Sequence, residues 1–199
     1  MKIVERIDVV SLGGVASQKK WKTAAKEVET AILATDWPHG SGRFKLNPGV
    51  EKNANGVLPM KLPCISKLKE FGWEAERLPK LLAGVPMGNL DAIKQIRGVT
   101  IGFEWETGNI SSSHRAINKI FHAMLKGGII GGFLALPSEN MRRYLTERIG
   151  NITELREYFP VWQAIAFPQG VFRILVVEHD ELDQTVPLIP KQKDGNAKK

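Results

Sequence analysis

The chain has 199 residues, 43% hydrophobic and 25% charged, which is typical of a globular domain with a real core. Its longest apolar stretch, residues 127–136, is too short to span a bilayer, and charges stand where a signal peptide needs an apolar run, so we expect a cytoplasmic protein without a membrane partner. One cysteine, Cys64, excludes an internal disulfide. The net charge of +7 favours polyanionic partners, but solubility alone explains it equally well.

The first half of the chain alternates between helical and strand patterns around one long polar segment. Its predicted elements, in chain order, are a strand over residues 3–10, a helix from an N-cap at Ser17 to about Ala34, an irregular loop over residues 36–61, a helix over residues 63–71 closed by Gly72, and a strand over residues 73–78. The loop is rich in Gly, Pro and Asn, and long loops in compact domains are often functional.

The second half continues the alternation. Its predicted elements are two strands within residues 89–107 joined by a turn at Arg97-Gly98, a helix over residues 111–126, a buried strand over residues 129–136, helices over residues 138–149 and 153–159, and strands over residues 164–167 and 172–177. This order predicts an α/β fold with a mixed central β-sheet flanked by helices. We expect a single domain over residues 1–190 and a disordered basic tail over residues 191–199.

Residues 99–106 alternate between apolar and other side chains with a period of two. In a strand, Glu104 and Glu106 therefore lie on one face, one pleat apart. Two like charges so close repel unless something neutralises them, and Mg²⁺ prefers such oxygen ligands. The alternative is a half-exposed edge strand, which shows the same alternation without any metal.

Asp91 is the only acidic residue between Glu76 and Glu104. It falls on the preceding strand or at its end, so a hairpin could bring it beside Glu104 and complete a metal site of three carboxylates. The alternative is a turn or cap aspartate after Gly88-Asn89.

The segment Glu104-Trp-Glu-Thr-Gly-Asn109, with Asp91 upstream, resembles the active-site signature of PD-(D/E)xK nucleases. It is most similar to the BamHI, BglII and BstYI group of type II restriction endonucleases, because KEVETAILATDW, the loop after it and ISKLKEFGWEAER also occur in the same order. The resemblance implies a restriction-endonuclease-like core and Mg²⁺-dependent hydrolysis of double-stranded DNA at a short palindromic site.

The same resemblance implies roles for the acidic residues. Asp91 and Glu104 would bind the metal, and Glu106 would occupy a position that is lysine in most of the superfamily. Glu106 would then bind or deprotonate water, or help to hold a second metal. A palindromic target implies a homodimer in which each subunit cuts one strand.

Polar residues after the acidic pair are candidate DNA contacts. A helix begins there, and free N–H groups at a helix start attract phosphate, although Ser111 or Ser112 could simply be the N-cap. His114 is a DNA or packing contact rather than a metal ligand. The predicted DNA-binding residues are Asn109, Ser112, Ser113, His114 and Arg115, together with Arg43 and Lys45 of the loop over residues 36–61. That loop is equally well interpreted as an arm around the duplex or as a solvated loop.

Two other functions stay open on the sequence. One is a PD-(D/E)xK nuclease of DNA repair, and the other is a non-catalytic basic nucleic-acid-binding protein, whose binding would be salt-sensitive without cleavage. The sequence contains no Walker loop, GxGxxG element or zinc-type Cys/His spacing, so we expect no nucleotide cofactor.

Overall fold

A computed structural model of the chain describes residues 1–146 and 148–191. The strands are β1 (Lys2–Leu12), β2 (Lys45–Leu46), β3 (Glu74–Arg77), β4 (Leu90–Ile96), β5 (Val99–Trp105), β6 (Gly131–Pro137), β7 (Gly170–Glu178) and β8 (Glu181–Leu182). The helices are α1 (Lys19–Leu33), α2 (Leu58–Glu70), α3 (Ile110–Leu125), α4 (Glu139–Arg142), α5 (Ile152–Arg156) and α6 (Phe159–Gln163), and single 3-10 turns lie at Val15–Ser17 and Lys80–Leu82. The tail over residues 192–199 lies outside the described residues.

Six strands form one mixed sheet in the order β1-β7-β6-β5-β4-β3. The central pairs β5–β6 and β6–β7 are parallel, whereas β1, β4 and β3 pair antiparallel to their neighbours. Every residue of β6 is buried, as its continuous apolar pattern predicts for a strand covered on both faces. The predicted α/β class with a mixed, helix-flanked sheet is confirmed.

Helices cover the sheet on both faces, and each face has its own core. On the α1 and α2 side, Trp21 stacks on Phe133 with ring centroids 4.3 Å apart. On the α3 side, Phe121 meets the ring of Phe172 edge-on at 5.2 Å. Burying each such side chain stabilises the fold by roughly 1.5–3 kcal/mol. No helix within residues 1–146 and 148–191 is both long and apolar enough to cross a membrane.

Two predicted boundaries in the first third of the chain are wrong. The N-cap of α1 is Gln18 rather than Ser17, which instead ends the preceding 3-10 turn. The predicted loop is shorter at its end, because α2 already begins at Leu58 with a proline in its first turn, where the missing N–H has no helical partner anyway. Pro63 lies inside α2, and its lost hydrogen bond is offset by the burial of neighbouring side chains such as Cys64. The loop also contains the short strand β2, which pairs with β8.

Two predictions in the last third are also wrong. The helix expected over residues 138–149 is only the four-residue α4, because Leu145 and Ile149 leave the helical path and form isolated bridges with Asn55 and Asn109. The strand expected over residues 164–167 is absent, since Ala164 caps the end of α6 and the chain then bends toward β7.

The predicted turn at Arg97-Gly98 is confirmed, and it sets the register that positions the acidic residues. Both residues have positive φ, 48° and 80°, which is the backbone twist that joins two antiparallel strands tightly. As a result Ala92 pairs with Phe103. The next residues outward along this ladder, on β4 and β5, are Asp91 and Glu104.

Candidate active site

Glu104 is a buried carboxylate on a central strand. β5 lies between β4 and β6, and Glu104 is only 1% exposed. The alternative interpretation of this segment as a half-exposed edge strand is therefore wrong. An ionisable side chain in such a position is costly unless a charge or donor compensates it, so its presence requires a physical explanation.

Asp91 lies next to Glu104 at the same end of the sheet. Its Oδ2 accepts a hydrogen bond of 2.8 Å from the backbone N–H of Trp105, and the residue is 7% exposed. The hairpin thus brings Asp91 beside Glu104, and Asp91 is not a solvent-exposed turn aspartate. The turn at residues 97–98 determines the register that brings the two residues together.

Glu106 follows directly after β5, and its backbone N–H still donates to the carbonyl of Ala135 at 2.9 Å. Burial and the charge of Asp91 raise the pKa of its half-buried carboxyl, while a hydrogen bond from the Gly108 backbone and the charge of Arg115 lower it. The influence of Asp91 on this group indicates that all three predicted carboxylates share one electrostatic environment.

Two lysines that the sequence did not single out contact the acidic residues. The Lys61 ammonium, from α2, forms an ion pair with Asp91 and lies 3.7 Å from Glu76. The Lys119 ammonium, from α3, contacts Glu104 Oε1 and donates to the carbonyl of Asn89 at 2.9 Å. Because α2 and α3 cover opposite faces of the sheet, the two cations approach the acidic pair from different sides.

The Lys119 ammonium is in close contact with Glu104 Oε1, and this oxygen is buried. Burial first, and then the charge of Asp91, raise the pKa of Glu104 to about 8, although Lys119 lowers it. A single ammonium group therefore offsets only part of the cost of ionising this carboxyl.

The carboxylates do not form a ready-made metal cage. Among the residues that the structure describes, no three Asp, Glu, His or Cys side chains are placed so that they could hold an ion together. The chemistry of Glu104 and Asp91 nevertheless suits a hard divalent cation, because both offer carboxylate oxygens.

The raised pKa of Glu104 predicts that the protein without divalent metal loses stability as the pH rises. The folded-state pKa of about 8 lies above the ordinary glutamate pKa of 4.5, so between these values the folded chain holds a proton that the unfolded chain has released. Raising the pH from about 5 to about 8 should lower the free energy of unfolding, on the order of 2 kcal/mol. Urea titrations of wild type and Glu104→Gln measure this, and equal pH slopes in both would contradict it.

Most of the predicted DNA-binding residues lie at the start of α3, and the structure gives them different surroundings. Asn109, rather than Ser111 or Ser112, is the N-cap, and its side chain accepts from the backbone N–H of Ser112 at 3.0 Å. Arg115 is exposed and influences the pKa of Glu106, so it lies near the acidic residues.

Two neighbours on the same helix, Ser113 and His114, make packing contacts, and a DNA contact by the partly exposed His114 stays a prediction. Ser113 is 1% exposed and lies against Gly150, where an added Cβ would come within 2.8 Å of its Oγ. DNA contact by Ser113 therefore has no support from its position. His114 packs edge-on against Tyr158 with ring centroids 4.5 Å apart, which agrees with the packing alternative for this residue.

The two predicted DNA-binding residues in the long loop, Arg43 and Lys45, lie close to carboxylates of the same chain. Lys45 Nζ lies 2.7 Å from Glu181 and 3.1 Å from Asp183, and Arg43 lies 3.6 Å from Glu181. The Trp37 indole N–H also donates to the carbonyl of Pro187 at 3.0 Å. This part of the loop is tied to the C-terminal segment, so phosphate binding by Lys45 requires it to leave its carboxylate partners.

Comparisons with known proteins agree with the resemblance seen in the sequence. The family model described as restriction endonuclease BamHI matches residues 1–196. The type II restriction enzyme OkrAI of Oceanobacter kriegii is 46% identical over 171 residues, which cover 86% of this chain and 87% of the relative. The type II restriction enzyme BamHI of Bacillus amyloliquefaciens is 33% identical over 192 residues, covering 93% of this chain and 87% of the relative.

The fold is also similar to a solved structure. The crystal structure of restriction endonuclease BglII complexed with a DNA 16-mer superposes with a TM-score of 0.61, covering 90% of this chain and 79% of that chain at 13% sequence identity. At this identity the likeness concerns the fold alone.

Proposed function

The chain belongs to the BamHI family of type II restriction endonucleases, and from this membership we propose that Asp91, Glu104 and Glu106 form the centre at which it cuts DNA. As a member of this family the protein is a site-specific deoxyribonuclease, and it depends on a divalent metal ion. The sequence-based prediction of the family is thereby confirmed. We further propose that residues 1–190 act as one nuclease domain.

The buried carboxyl of Glu104 is the observation that carries the proposed site. It lies on a central strand, beside Asp91, and its buried Oε1 is in contact with the Lys119 ammonium. We assign Asp91 and Glu104 as the ligands of Mg²⁺, a hard cation that prefers carboxylate oxygens. When bound there, Mg²⁺ supplies positive charge that stabilises charge on the scissile phosphate and lowers the pKa of water.

Glu106 has a different role in this proposal. It lies beyond the end of β5, and burial together with the charge of Asp91 raises its pKa. A carboxylate tuned in this way is suited to accept the proton of the attacking water at a side-chain oxygen. We therefore assign proton acceptance to Glu106, in preference to metal binding.

DNA binding is assigned to the start of α3 and the long loop. Asn109 keeps its amide N–H groups available for DNA, since its capping hydrogen bond uses the side-chain oxygen. Arg115 offers an exposed guanidinium for a phosphate or a base edge, and the partly buried Ser112 lies between them. Arg43 and Lys45 stay candidates for phosphate contacts.

A palindromic target favours a homodimer with one acidic centre per DNA strand. We propose this state for the DNA-bound enzyme. Sedimentation of a single subunit on a duplex that contains the recognised sequence would count against it.

Digestion of phage DNA tests the proposed activity directly. We expect discrete fragments when Mg²⁺ is present and intact DNA when it is replaced by a chelator. Sequencing of the fragment ends should give one short palindrome.

The two alternative functions give other results in this digestion. A smear, or cutting only at branched substrates, would indicate a repair nuclease. Salt-sensitive DNA binding without any cleavage would indicate a non-catalytic nucleic-acid-binding protein.

A further inference from the structure

Lys119 has an unusual position for a helix-surface lysine. It lies in the second half of α3, and its side chain is only 17% exposed. Its ammonium group contacts Glu104 Oε1 and also donates to the carbonyl of Asn89. Lys126, at the end of the same helix, is exposed and has no carboxylate partner within the described ranges, residues 1–146 and 148–191. Charge or solubility alone therefore does not explain the placement of Lys119.

The charges around Asp91 and Glu104 indicate the role of Lys119. Lys61 is paired with Asp91 on the α2 side, and Lys119 is the cation that contacts Glu104 on the α3 side. A divalent cation placed between the same carboxylates provides more positive charge and removes the need for this ammonium.

The Lys119 side chain also has open space into which it can rotate. Lys119 lines a shallow open groove along α3. The other residues that line this groove are Met87, Ser111, His114, Arg115, Asn118 and His122. The second partner of Lys119, the carbonyl of Asn89, belongs to the backbone just before β4 and not to the acidic pair. Rotation of a flexible four-carbon side chain is enough to break the contact with Glu104 and keep the ammonium solvated in this groove.

We propose that Lys119 is an exchangeable partner of Glu104: its ammonium group contacts Glu104 Oε1 in the metal-free enzyme and leaves this oxygen when a divalent cation binds. The inference rests on the proposed function, since it requires Glu104 to be a metal ligand. Lys119 is thus a positioning residue that acts through Glu104, and it lowers the metal affinity of the free enzyme because metal and ammonium compete for one carboxylate.

Mn²⁺ binding to the full-length protein without DNA tests this proposal, with electron paramagnetic resonance used to count free Mn²⁺. Lys119→Met should bind Mn²⁺ about tenfold more tightly than wild type, because the competing ammonium is gone. Lys126→Met is the matched control, since it removes the same charge from the same helix, and its affinity should equal that of wild type. Equal affinities in all three proteins, or weaker binding by Lys119→Met, would overturn the proposal.

Glu104→Gln separates failure of this inference from failure of the proposed site. If Glu104→Gln loses Mn²⁺ binding while Lys119→Met binds like wild type, Glu104 is a ligand but Lys119 is not its competitor. If Glu104→Gln binds Mn²⁺ like wild type, the proposed metal site itself is wrong, and the inference fails with it.

A measurement on the wild-type protein covers the case in which Lys119→Met does not fold. With ¹⁵N-labelled lysine and Zn²⁺ as a diamagnetic probe, the Lys119 ammonium should give a protected signal in the metal-free protein. This signal should disappear or shift as the metal saturates, while that of Lys126 stays unchanged. A Lys119 signal that is unaffected at saturation would contradict displacement.

Discussion

Replacing Glu104 with Gln is expected to lower the rate of DNA cleavage by about a thousandfold or more. Glutamine has the same shape but no charge, so it removes the proposed metal ligand without opening a cavity. Folding should not suffer, because the raised pKa of Glu104 indicates that a neutral group is tolerated at this buried position. DNA affinity should be unchanged or slightly tighter, since one negative charge near the phosphates is lost. Cleavage kinetics and gel-shift titrations measure both effects.

Glu74→Gln is a suitable control for this prediction. Glu74 lies on β3 of the same sheet, but its side chain is 67% exposed and makes only a loose contact of 3.9 Å with Arg77. The control should cut DNA like wild type. A Glu104→Gln protein that retains wild-type cleavage would refute the assignment of Glu104 as a metal ligand.

Asp91→Asn is expected to lower cleavage by about a hundredfold to a thousandfold. The asparagine side-chain oxygen still accepts the hydrogen bond from the backbone N–H of Trp105, so the local backbone keeps its position. The lost charge removes the second proposed metal ligand and leaves Lys61 without this ion-pair partner. It also removes one of the causes that raise the pKa of Glu104. The variant should therefore show both weak cleavage and a smaller loss of stability between pH 5 and pH 8 than wild type.

Asp8→Asn controls for the loss of a partly buried ion pair as such. Asp8 on β1 pairs with Arg173 on β7 at 2.6 Å, and the strands β7 and β6 separate β1 from β5, which carries Glu104. This variant should be somewhat less stable but should cleave at the wild-type rate. If Asp91→Asn and Asp8→Asn reduce cleavage equally, the effect of Asp91 is structural rather than catalytic.

The sequence predicted that Asp91 lies beside Glu104, because this placement depends on local rules. A period of two on β5 indicates a strand, and Arg97-Gly98 indicates a tight turn, so the approach of Asp91 to Glu104 follows from strand pairing alone. Short-range patterns also indicated the fold class, because buried strands such as β6 are continuous apolar runs.

Long-range contacts explain what the sequence did not predict. The positions of Lys61 and Lys119 beside the carboxylates depend on how α2 and α3 pack over opposite faces of the sheet, and no spacing rule along the chain indicates this. Leu145 also fits a helical pattern, but it pairs with Asn55, which is far away in sequence. Such bridges override local helix propensity because they bury backbone groups with partners.

Ser113 is a similar case at the start of α3, where the sequence predicted DNA contacts. Its residue type and neighbours suit phosphate binding, but the helix turns its side chain under Gly150. Whether a residue at the start of a helix is buried or exposed depends on where the later part of the chain packs. The sequence pattern does not specify this.

The position of a bound metal ion tests the central claim most directly. Crystals of the wild-type enzyme soaked with Mn²⁺ give an anomalous signal that locates the ion independently of any assumption about its ligands. We expect one peak between the carboxylates of Asp91 and Glu104, with the Lys119 ammonium withdrawn from Glu104. A peak elsewhere, with both carboxylates still paired to Lys61 and Lys119, would contradict the account.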